Sequence, residues 1–298
     1  MDILNVENIN KCYKQKILNN ISFSIVQGEV VGLVGPNGVG KTTLMKIISK
    51  LLQEDSGEIK ICGVSNRDNR KKYLSNFSSI IETPALYEML TGYDNINFIR
   101  KLNNVSKENM MKALKFINIG DKIYDKVKNY SLGMKQRLAL GIALLTSPKL
   151  LILDEPTNGL DPHGVMEFRE LLISLAQEKH IAILISSHIL SDLDKICSKL
   201  LFLKSGEIIE FDLNNIKSNN QKIILTVENP NNVILNIKEI EGVDDVEIAD
   251  NNKIYITLNI NKKPQFMEEI YRRKIKYSDI EIVNDSMENL YKGVYGGK

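Results

Sequence analysis

The sequence predicts an α/β fold, in which a large domain with parallel strands in its core precedes a smaller α+β domain. Two observations support this prediction. Up to about residue 210, short apolar segments alternate with stretches whose apolar residues have helical spacing, which is typical of α/β domains with a buried parallel sheet. Beyond residues 218–220 the apolar residues mostly alternate with polar ones in short segments, which is typical of strands with one exposed face.

The elements of the large domain follow in order along the chain. Residues 21–25 alternate between apolar and polar and predict a strand. The apolar run at residues 30–34 predicts a buried strand that enters a glycine-rich loop, and residues 42–52 then carry apolar residues at the spacing of one helix face. Two further apolar runs, at residues 150–153 and 181–186, predict buried strands in the same core.

The smaller domain is predicted to have the order β-α-β-β-α-β, which is the order of a ferredoxin-like unit. Its hairpin turn is expected at Asp250, Asn251 and Asn252, residue types that favour such turns. The predicted strands and helices are, in chain order, strand 222–227, helix 233–239, strand 243–249, strand 253–258, helix 264–274 and strand 280–283. We therefore expect domains at residues 1–215 and 221–298.

Composition and charge exclude several classes of protein. With 43% hydrophobic and 26% charged residues, the 298-residue chain has the balance of a globular protein. Its 39 Lys and Arg against 37 Asp and Glu give no support to bulk nucleic-acid binding. Three scattered cysteines do not indicate a disulfide framework or a zinc cluster, and reduced thiols in a cytosolic protein are expected.

Membrane and export signals are also not indicated by the sequence. A spanning helix needs roughly 20 apolar residues, and the most apolar stretch is interrupted by Ser186, Ser187 and His188. The N-terminus has acids and no apolar region of the kind found in a signal peptide. If the protein serves a membrane process, we expect the membrane part to be another chain.

The first chemical motif is a glycine-rich loop between the predicted strand at 30–34 and the predicted helix after it. Its sequence GPNGVGKT fits G-x-x-x-x-G-K-[ST]. Glycines let backbone N–H groups approach phosphate oxygens, and the helix N-terminus offers more free N–H groups to an anion. Lys41 can reach the β- and γ-phosphates, and the Thr42 hydroxyl can ligate Mg²⁺. The residues expected to contact the nucleotide are Gly35, Pro36, Asn37, Gly38, Val39, Gly40, Lys41, Thr42 and Thr43.

The second motif is a pair of acids at the end of the apolar run 150–153. In open α/β sheets, ligands bind at the carboxyl ends of the strands, where Asp154 and Glu155 stand. Asp154 is expected to hold Mg²⁺ through water, and Glu155 is placed to act as general base on the attacking water. The alternative, a strand end that is acidic by chance, is disfavoured by the phosphate loop.

A third stretch, NYSLGMKQRL, resembles the LSGGQ signature of the ATP-binding subunits of ABC transporters. Ser131 and Gly133 match the serine and the second glycine of the signature, whereas Leu132 and Met134 replace its first glycine and its glutamine. A serine at a helix start caps the helix, and the free N–H groups there make an anion site. The resemblance implies that this cap faces the γ-phosphate of ATP held by the opposite subunit.

Other residues match the same family in order. Asp161 stands where the family has its D-loop, and His188 matches the switch histidine that contacts γ-phosphate and orients the catalytic water. Tyr13 stands where the family stacks an aromatic ring on adenine. The alternatives are that His188 is only a structural residue at a strand end and that Tyr13 is only a half-buried strand residue. His163 and His180 match nothing in the family and are expected to be surface residues.

Glu82 departs from the family, which usually has a glutamine between the phosphate-binding core and its helical subdomain. The subdomain is expected at about residues 83–145. A glutamate at this place, together with the sequence SLGMKQR, is similar to the bacitracin-export and lantibiotic-immunity group of bacterial transporters. Glu82 is expected to join Thr42 and Asp154 as a metal ligand, and the alternative is a substitution without consequence.

The resemblance covers about residues 1–212 and implies the ATPase domain of an ABC transporter, with ATP and Mg²⁺ as cofactors. Glu155, His188 and Lys41 are its expected catalytic residues. The partners implied are a second copy of the chain and separate polytopic membrane subunits, with no nucleic acid. The implied function is to energise the export of antimicrobial peptides from the inner face of the cell membrane.

Three alternatives stay open. One is a soluble ATPase of this family that acts on ribosomes or DNA. Such proteins usually carry two cassettes or long coiled coils, and neither is found in this sequence. Another is a nucleotide-binding regulator without turnover, which the presence of both Glu155 and His188 disfavours. The third is export of a different compound.

Overall fold

The computed structural model describes residues 1–213, 220–250, 252–283, 291 and 293–295. The chain divides into two units, Met1–Asp212 and Leu213–Lys298. The strands of the first unit are β1 (Asp2–Cys12), β2 (Lys16–Val26), β3 (Val30–Val34), β4 (Ser56–Ile61), β5 (Val64–Ser65), β6 (Phe77–Ile80), β7 (Leu150–Leu153), β8 (Ala182–Ser187), β9 (Lys199–Lys204) and β10 (Glu207–Asp212). Its helices are α1 (Lys41–Ile48), α2 (Arg70–Ser75), α3 (Gly92–Leu102), α4 (Lys107–Ile117), α5 (Leu132–Leu144), α6 (Pro162–Gln177) and α7 (Leu190–Leu193), with short 3₁₀ turns at Gly120–Tyr124 and Val127–Asn129.

The main sheet of this unit has the order β10-β9-β3-β8-β7-β6. Its strands are parallel except for β10, which pairs antiparallel with β9. All residues of β3, β7 and β8 are buried, which confirms the prediction of a buried parallel core. Because parallel strands end at the same edge of a sheet, the segments after β3, β7 and β8 lie together.

A second sheet of the first unit is antiparallel, with the order β2-β1-β4-β5. Only part of β2 was predicted, at residues 21–25. The sheet shares one apolar core with α1 and the main sheet, through side chains that include Ile9, Ile21 and Leu44. Tyr13 lies in the bend between β1 and β2 and is 58% exposed, so it is not a half-buried strand residue.

The helix predicted at residues 42–52 is shorter in the structure. It begins at Lys41 and ends at Ile48. The apolar spacing continues to Leu51, but Lys50 has φ +57°, a left-handed conformation that stops the helix. Leu51 is accordingly exposed rather than buried on the helix face.

Helices α3, α4 and α5 pack around an apolar cluster of their own, which includes Ile96, Met110 and Leu138. Each helix begins after a residue whose hydroxyl accepts a hydrogen bond from a backbone N–H of the first turn, and these caps are Thr91, Ser106 and Ser131. Such caps contribute about 1 kcal/mol each. The three helices fall within the range expected for a helical subdomain.

The second unit contains β11 (Asn220–Thr226), α8 (Pro230–Lys238), β12 (Val243–Asp250), β13 (Lys253–Asn259), α9 (Lys263–Arg272) and β14 (Asp279–Val283), with a 3₁₀ turn at Ile260–Lys262. Its sheet is antiparallel, in the order β12-β13-β11-β14. The element order is therefore β-α-β-β-α-β, around a core that includes Ile256 and Phe266. Asn251 of the predicted hairpin turn lies outside the described residues.

No helix in the described part of the chain combines the length and apolar character needed to cross a bilayer. The longest of these helices, α6, has 16 residues.

Candidate active site

The glycine-rich loop connects β3 to α1 and folds around the side chain of Lys41. Gly38 and Gly40 have φ +81° and +118°, conformations that side chains rarely adopt, so glycine is required at both turns. Lys41 is only 6% exposed, and its Nζ donates to the carbonyl oxygen of Gly35 at 2.7 Å and to that of Pro36 at 3.4 Å. A buried ammonium thus lies inside the loop, where it can meet phosphate oxygens.

Asp154 directly follows β7 and meets the first turn of α1. Its Oδ2 accepts a hydrogen bond from Thr42 Oγ1 at 2.7 Å, and its Oδ1 accepts one from Ser186 Oγ at 2.6 Å. The hydroxyl of Thr42 and the carboxylate of Asp154 therefore place hard oxygen donors side by side, the type of ligand that Mg²⁺ prefers.

Among the residues that the structure describes, no three His, Cys, Asp or Glu side chains are placed so that together they could hold a metal ion. The protein alone therefore offers too few ligands here for a dedicated metal cage. A Mg²⁺ ion bound by one carboxylate, one hydroxyl, nucleotide phosphates and water fits the donor set of Thr42 and Asp154.

Glu155 lies between the loop lysine and the histidine that follows β8. Its Oε1 is 3.6 Å from Lys41 Nζ and has no hydrogen-bond partner among the described residues, and its Oε2 is 2.6 Å from His188 Nδ1. The backbone N–H of Glu155 donates to Ser186 Oγ at 2.9 Å. Glu155 also has φ +49°, a conformation that costs a non-glycine residue roughly 1–3 kcal/mol and that clusters at active sites.

Lys41, Thr42, Glu155 and His188 line one open cavity of about 280 Å³, whereas Asp154 contacts Thr42 without lining it. The sequence-predicted residues around it are Tyr13, Asn37, Gly38, Gly40, Lys41, Thr42, Thr43, Glu155 and His188. Gly35, Pro36 and Val39 do not line the cavity, although Gly35 and Pro36 hold Lys41. Ile17 also lines the cavity but was not predicted from the sequence. It is an apolar residue in β2, the strand that follows Tyr13, and this position could have identified it.

The signature and the D-loop share a second open cavity, of about 460 Å³. Ser131, Leu132, Gly133 and Met134 line it together with Asp161. Ser131 Oγ accepts a hydrogen bond from the Met134 N–H at 3.3 Å, and Asp161 Oδ1 accepts one from the Gly164 N–H at 3.0 Å. Both residues therefore cap helices, and the start of α5 presents backbone N–H groups at the cavity.

Arg137, His163 and Glu167 are among the residues lining the second cavity that were not predicted as site residues from the sequence. Arg137 pairs with Glu167 at 2.5 Å, and His163 Nδ1 lies 3.4 Å from the same carboxylate. His163 is 70% exposed, as expected for a surface residue, but it also lines the cavity. No sequence signal marked Glu167, because an acid on an exposed helix face is ordinary.

Glu82 follows β6 with φ +64°, and its carboxylate contacts a lysine rather than Thr42 or Asp154. Glu82 Oε1 lies 2.5 Å from Lys46 Nζ, and the Glu82 side chain is 63% exposed. The hydrogen bond from Lys46 to Glu82 raises the pKa of Lys46, and the charge of Asp154 adds to this rise. Lys46 stands one helical turn after Thr42, whose hydroxyl contacts Asp154. The ammonium of Lys46 therefore interacts electrostatically with both Glu82 and Asp154.

Comparisons with known proteins show the family to which the chain belongs. A family model described as ABC transporter matches residues 18–158. The lantibiotic transport ATP-binding protein SrtF of Streptococcus pyogenes is 44% identical over 208 residues, which are 70% of this chain and 89% of SrtF. The bacitracin transport ATP-binding protein BcrA of Bacillus licheniformis is 32% identical over 299 residues, which are 99% of this chain and 98% of BcrA.

A solved dimeric ATP-binding cassette, in a post-hydrolysis state bound to ADP and Pi, superposes on this chain with a TM-score of 0.63 at 25% identity. The superposition covers 70% of this chain and 98% of the cassette. The fold, the order of the motifs and these relatives confirm the resemblance found in the sequence. ABC ATP-binding subunits dimerise and work with separate membrane permease subunits. The chain belongs to the family of ABC transporter ATP-binding proteins, and it is an ATPase.

Proposed function

We propose that this chain hydrolyses ATP to energise the export of antimicrobial peptides of the lantibiotic or bacitracin type, on the inner face of the cell membrane. The observation that carries the proposal is the similarity to SrtF and BcrA. The similarity to BcrA extends over nearly the whole length of this chain and of BcrA. The second unit is thus part of what this chain shares with a bacitracin transport protein. Separate membrane subunits would provide the path for the peptide.

The geometry supports a division of roles in the first cavity. The loop and Lys41 bind the phosphates, Thr42 and Asp154 hold Mg²⁺, and Tyr13 stacks on adenine beside Ile17. When bound, Mg²⁺ neutralises charge on the phosphate oxygens. The contact with His188 orients the Glu155 carboxylate, which accepts a proton from the water that attacks the γ-phosphorus.

The second cavity supports a dimer of two copies of this chain. A lone subunit carries both a phosphate-binding cavity and a signature cavity, with different lining residues. In the proposed dimer, Ser131 and Gly133 of one subunit face the γ-phosphate held by Lys41 of the other. The hydroxyl of Ser131 and the N–H groups at the start of α5 then complete the anion site. ATP joins the two copies, and hydrolysis lets them part.

The surface proposed to meet the membrane subunits lies between Glu82 and about residue 103. It exposes large apolar side chains, namely Tyr87, Met89, Leu90, Phe98 and Leu102. Tyr87 and Phe98 pack edge to face with ring centroids 5.4 Å apart. The buried Asn95 accepts from the Tyr87 N–H at 2.8 Å and donates to the Tyr87 carbonyl at 3.0 Å, which fixes this loop on α3. A fixed apolar patch of this kind fits a partner protein.

The proposal is tested by expressing the chain with its membrane subunits in a peptide-sensitive bacterium. We expect resistance to a lantibiotic or to bacitracin, lost in the Glu155→Gln variant and kept in Glu108→Gln, which breaks an exposed ion pair on α4. Normal sensitivity to a panel of such peptides, from a complex that hydrolyses ATP, would show that the exported compound is of another class.

Replacing Glu82 by glutamine should separate transport from hydrolysis. The change keeps the size of the side chain and removes its charge, so Lys46 loses its exposed partner. Since exposed pairs contribute little, we expect ATP binding and basal hydrolysis to stay within roughly threefold. Peptide resistance in cells should fall more, because Glu82 begins the segment proposed to contact the membrane subunits.

Lys46→Gln is the matched control for Glu82→Gln, since it removes the other half of the pair. If the two variants lower peptide resistance equally, the role in transport belongs to the ion pair rather than to Glu82 alone. Equal loss of basal hydrolysis and of resistance in Glu82→Gln would make Glu82 a plain ligand of the catalytic metal. No change in either quantity would return Glu82 to a neutral substitution.

We also propose that residues 1–215 form an independent ATP-binding domain and that 221–298 form an accessory domain. The apolar core of the first unit is formed by residues from Ile3 to Leu203, and the core around Ile256 and Phe266 is formed by residues of the second unit alone. A chain that ends at Lys217 should therefore fold and bind ATP with an affinity within about threefold of the full chain. Isothermal titration with ATP checks this, and a folded but non-binding truncation contradicts the division.

A further inference from the structure

A buried ion pair connects the two segments that carry Glu155 and His188. Asp192, four residues after His188, accepts a hydrogen bond from Arg169 Nη2 at 2.9 Å. The other carboxylate oxygen of Asp192 accepts from the hydroxyl of Thr157, two residues after Glu155, at 3.5 Å. The side chains of Arg169 and Asp192 are only 15% and 12% exposed. The pair thus joins α6 and α7 to the chain that follows β7.

General stabilisation is a poor explanation for this pair. Two charges taken out of water lose hydration that their mutual attraction recovers only in part, and apolar residues often stabilise such a place equally well. Arg169 Nε is buried without a hydrogen-bond partner among the residues described, so its hydration is only partly replaced. A buried pair of this kind can instead fix the geometry between the elements that it joins.

The geometry that it fixes is that of the proposed catalytic pair. His188 Nδ1 and Glu155 Oε2 lie 2.6 Å apart, but both side chains are partly exposed, at 43% and 22%. A hydrogen bond in such a setting does not by itself hold two loops in place. Asp192 lies four residues after His188, and Thr157 lies two residues after Glu155. Both Asp192 and Thr157 are buried, so the contact between them lies away from solvent.

We propose that Asp192, held by Arg169, is a positioning residue for ATP hydrolysis. It keeps the His188 segment against the Glu155 segment, so that Glu155 is oriented before the water attacks. The proposal rests on the roles proposed above for Glu155 and His188. Neither Asp192 nor Arg169 lines the phosphate-binding cavity or the signature cavity. We therefore expect the pair to affect the chemical step rather than nucleotide binding.

The test uses Asp192→Asn in the full chain, a change that keeps shape and removes the charge that faces Arg169. We expect kcat for ATP hydrolysis to fall about tenfold or more, since small misplacements of catalytic groups have effects of this order. KM and the Kd for ATP should stay within about twofold. Arg169→Gln should have the same effect as Asp192→Asn, and Arg169→Lys, which keeps the charge, should recover part of the rate.

A second genetic background separates positioning from a general structural role. In a His188→Ala chain there is no imidazole to position, so Asp192→Asn should lower the residual kcat by less than about twofold. Such non-additive effects are typical of residues that act as a unit. A further tenfold loss in that background would overturn the proposal, because the pair would then act independently of His188. Glu108→Gln serves as the control for loss of an ion pair elsewhere in the fold.

Each remaining outcome also decides a question. If His188→Ala hydrolyses ATP at the wild-type rate, the proposed role of His188 fails, and the positioning role fails with it. If His188→Ala is slow and Asp192→Asn is normal, only the positioning role fails. Should Asp192→Asn not fold, the pair Asp192→Leu with Arg169→Met removes both charges and keeps apolar packing. That protein should fold, bind ATP and hydrolyse slowly, and a wild-type rate would overturn the proposal.

Discussion

Glu155→Gln is expected to lower kcat for ATP hydrolysis by about a hundredfold or more while ATP binding is kept. The amide has the shape of the carboxylate, and its oxygen can still contact His188 Nδ1, which lies 2.6 Å from Oε2. The amide cannot accept the proton of the attacking water, so the chemical step loses the base that we propose for it. Phosphate release under saturating Mg-ATP measures the loss, and a titration with a fluorescent ATP analogue measures binding.

The same variant should accumulate as an ATP-bound dimer. In the proposed dimer, ATP joins the two copies and they part only after hydrolysis, which the variant is not expected to perform. Size-exclusion chromatography with Mg-ATP should show a dimer for Glu155→Gln and a shorter-lived dimer for Glu108→Gln, which removes one charge of an exposed ion pair on α4. A Glu155→Gln protein that runs as a monomer at every ATP concentration contradicts either the dimer or the role of Glu155.

Much of the site could be predicted because its chemistry demands particular residues in short patterns. The loop needs glycines, a lysine and a hydroxyl in sequence, and a carboxylate must follow a buried strand. The meeting of Thr42 with Asp154, 112 residues away, then follows from topology. Strands β3 and β7 are parallel to the strand between them, so their carboxyl ends must share one edge of the sheet.

The ionic partners of the site could not be predicted in this way. Lys46 and Arg169 are charged residues on helices, where such residues are common and usually solvated. Their contacts with Glu82 and Asp192 depend on which loop passes the helix, and no periodicity in the sequence encodes that. For Glu82 the usual family role favours a metal contact, which stays a prediction, and the structure shows that its carboxylate pairs with Lys46.

The antiparallel sheet of the first unit shows a second reason for a missed element. Strand β1 contains Asn5, Asn8 and Asn10, a residue type that is depleted in strands. It forms nevertheless because β1 is paired on both sides, with β2 and with β4, and buries Ile9 in the common core. Asn8 has φ +53° near irregularities in both pairings, a conformation that asparagine tolerates well. Tertiary pairing here overrides a weak local preference.

Lys41→Ala is expected to act on ATP binding itself, in contrast to Glu155→Gln. The ammonium lies inside the loop, 2.7 Å from the Gly35 carbonyl oxygen and 3.6 Å from Glu155 Oε1. Lys41 is the side chain proposed to reach the β- and γ-phosphates. Charge-assisted hydrogen bonds to a charged partner contribute about 1.5–3 kcal/mol each, so the Kd for ATP should rise by roughly ten- to a hundredfold. The loss of affinity for AMP, which lacks the β- and γ-phosphates, should be small.

Lys112→Ala is the matched control, because it removes an exposed lysine of the ion pair on α4 and should leave the Kd for ATP unchanged. The double variant Lys41→Ala with Glu155→Gln gives the sharpest comparison. If the dimer forms because each copy binds ATP through its own loop, the double variant must stay monomeric at ATP concentrations that dimerise Glu155→Gln alone. A dimer at those concentrations, or an unchanged Kd in Lys41→Ala, would mean that Lys41 serves only the transition state and that other groups bind the phosphates.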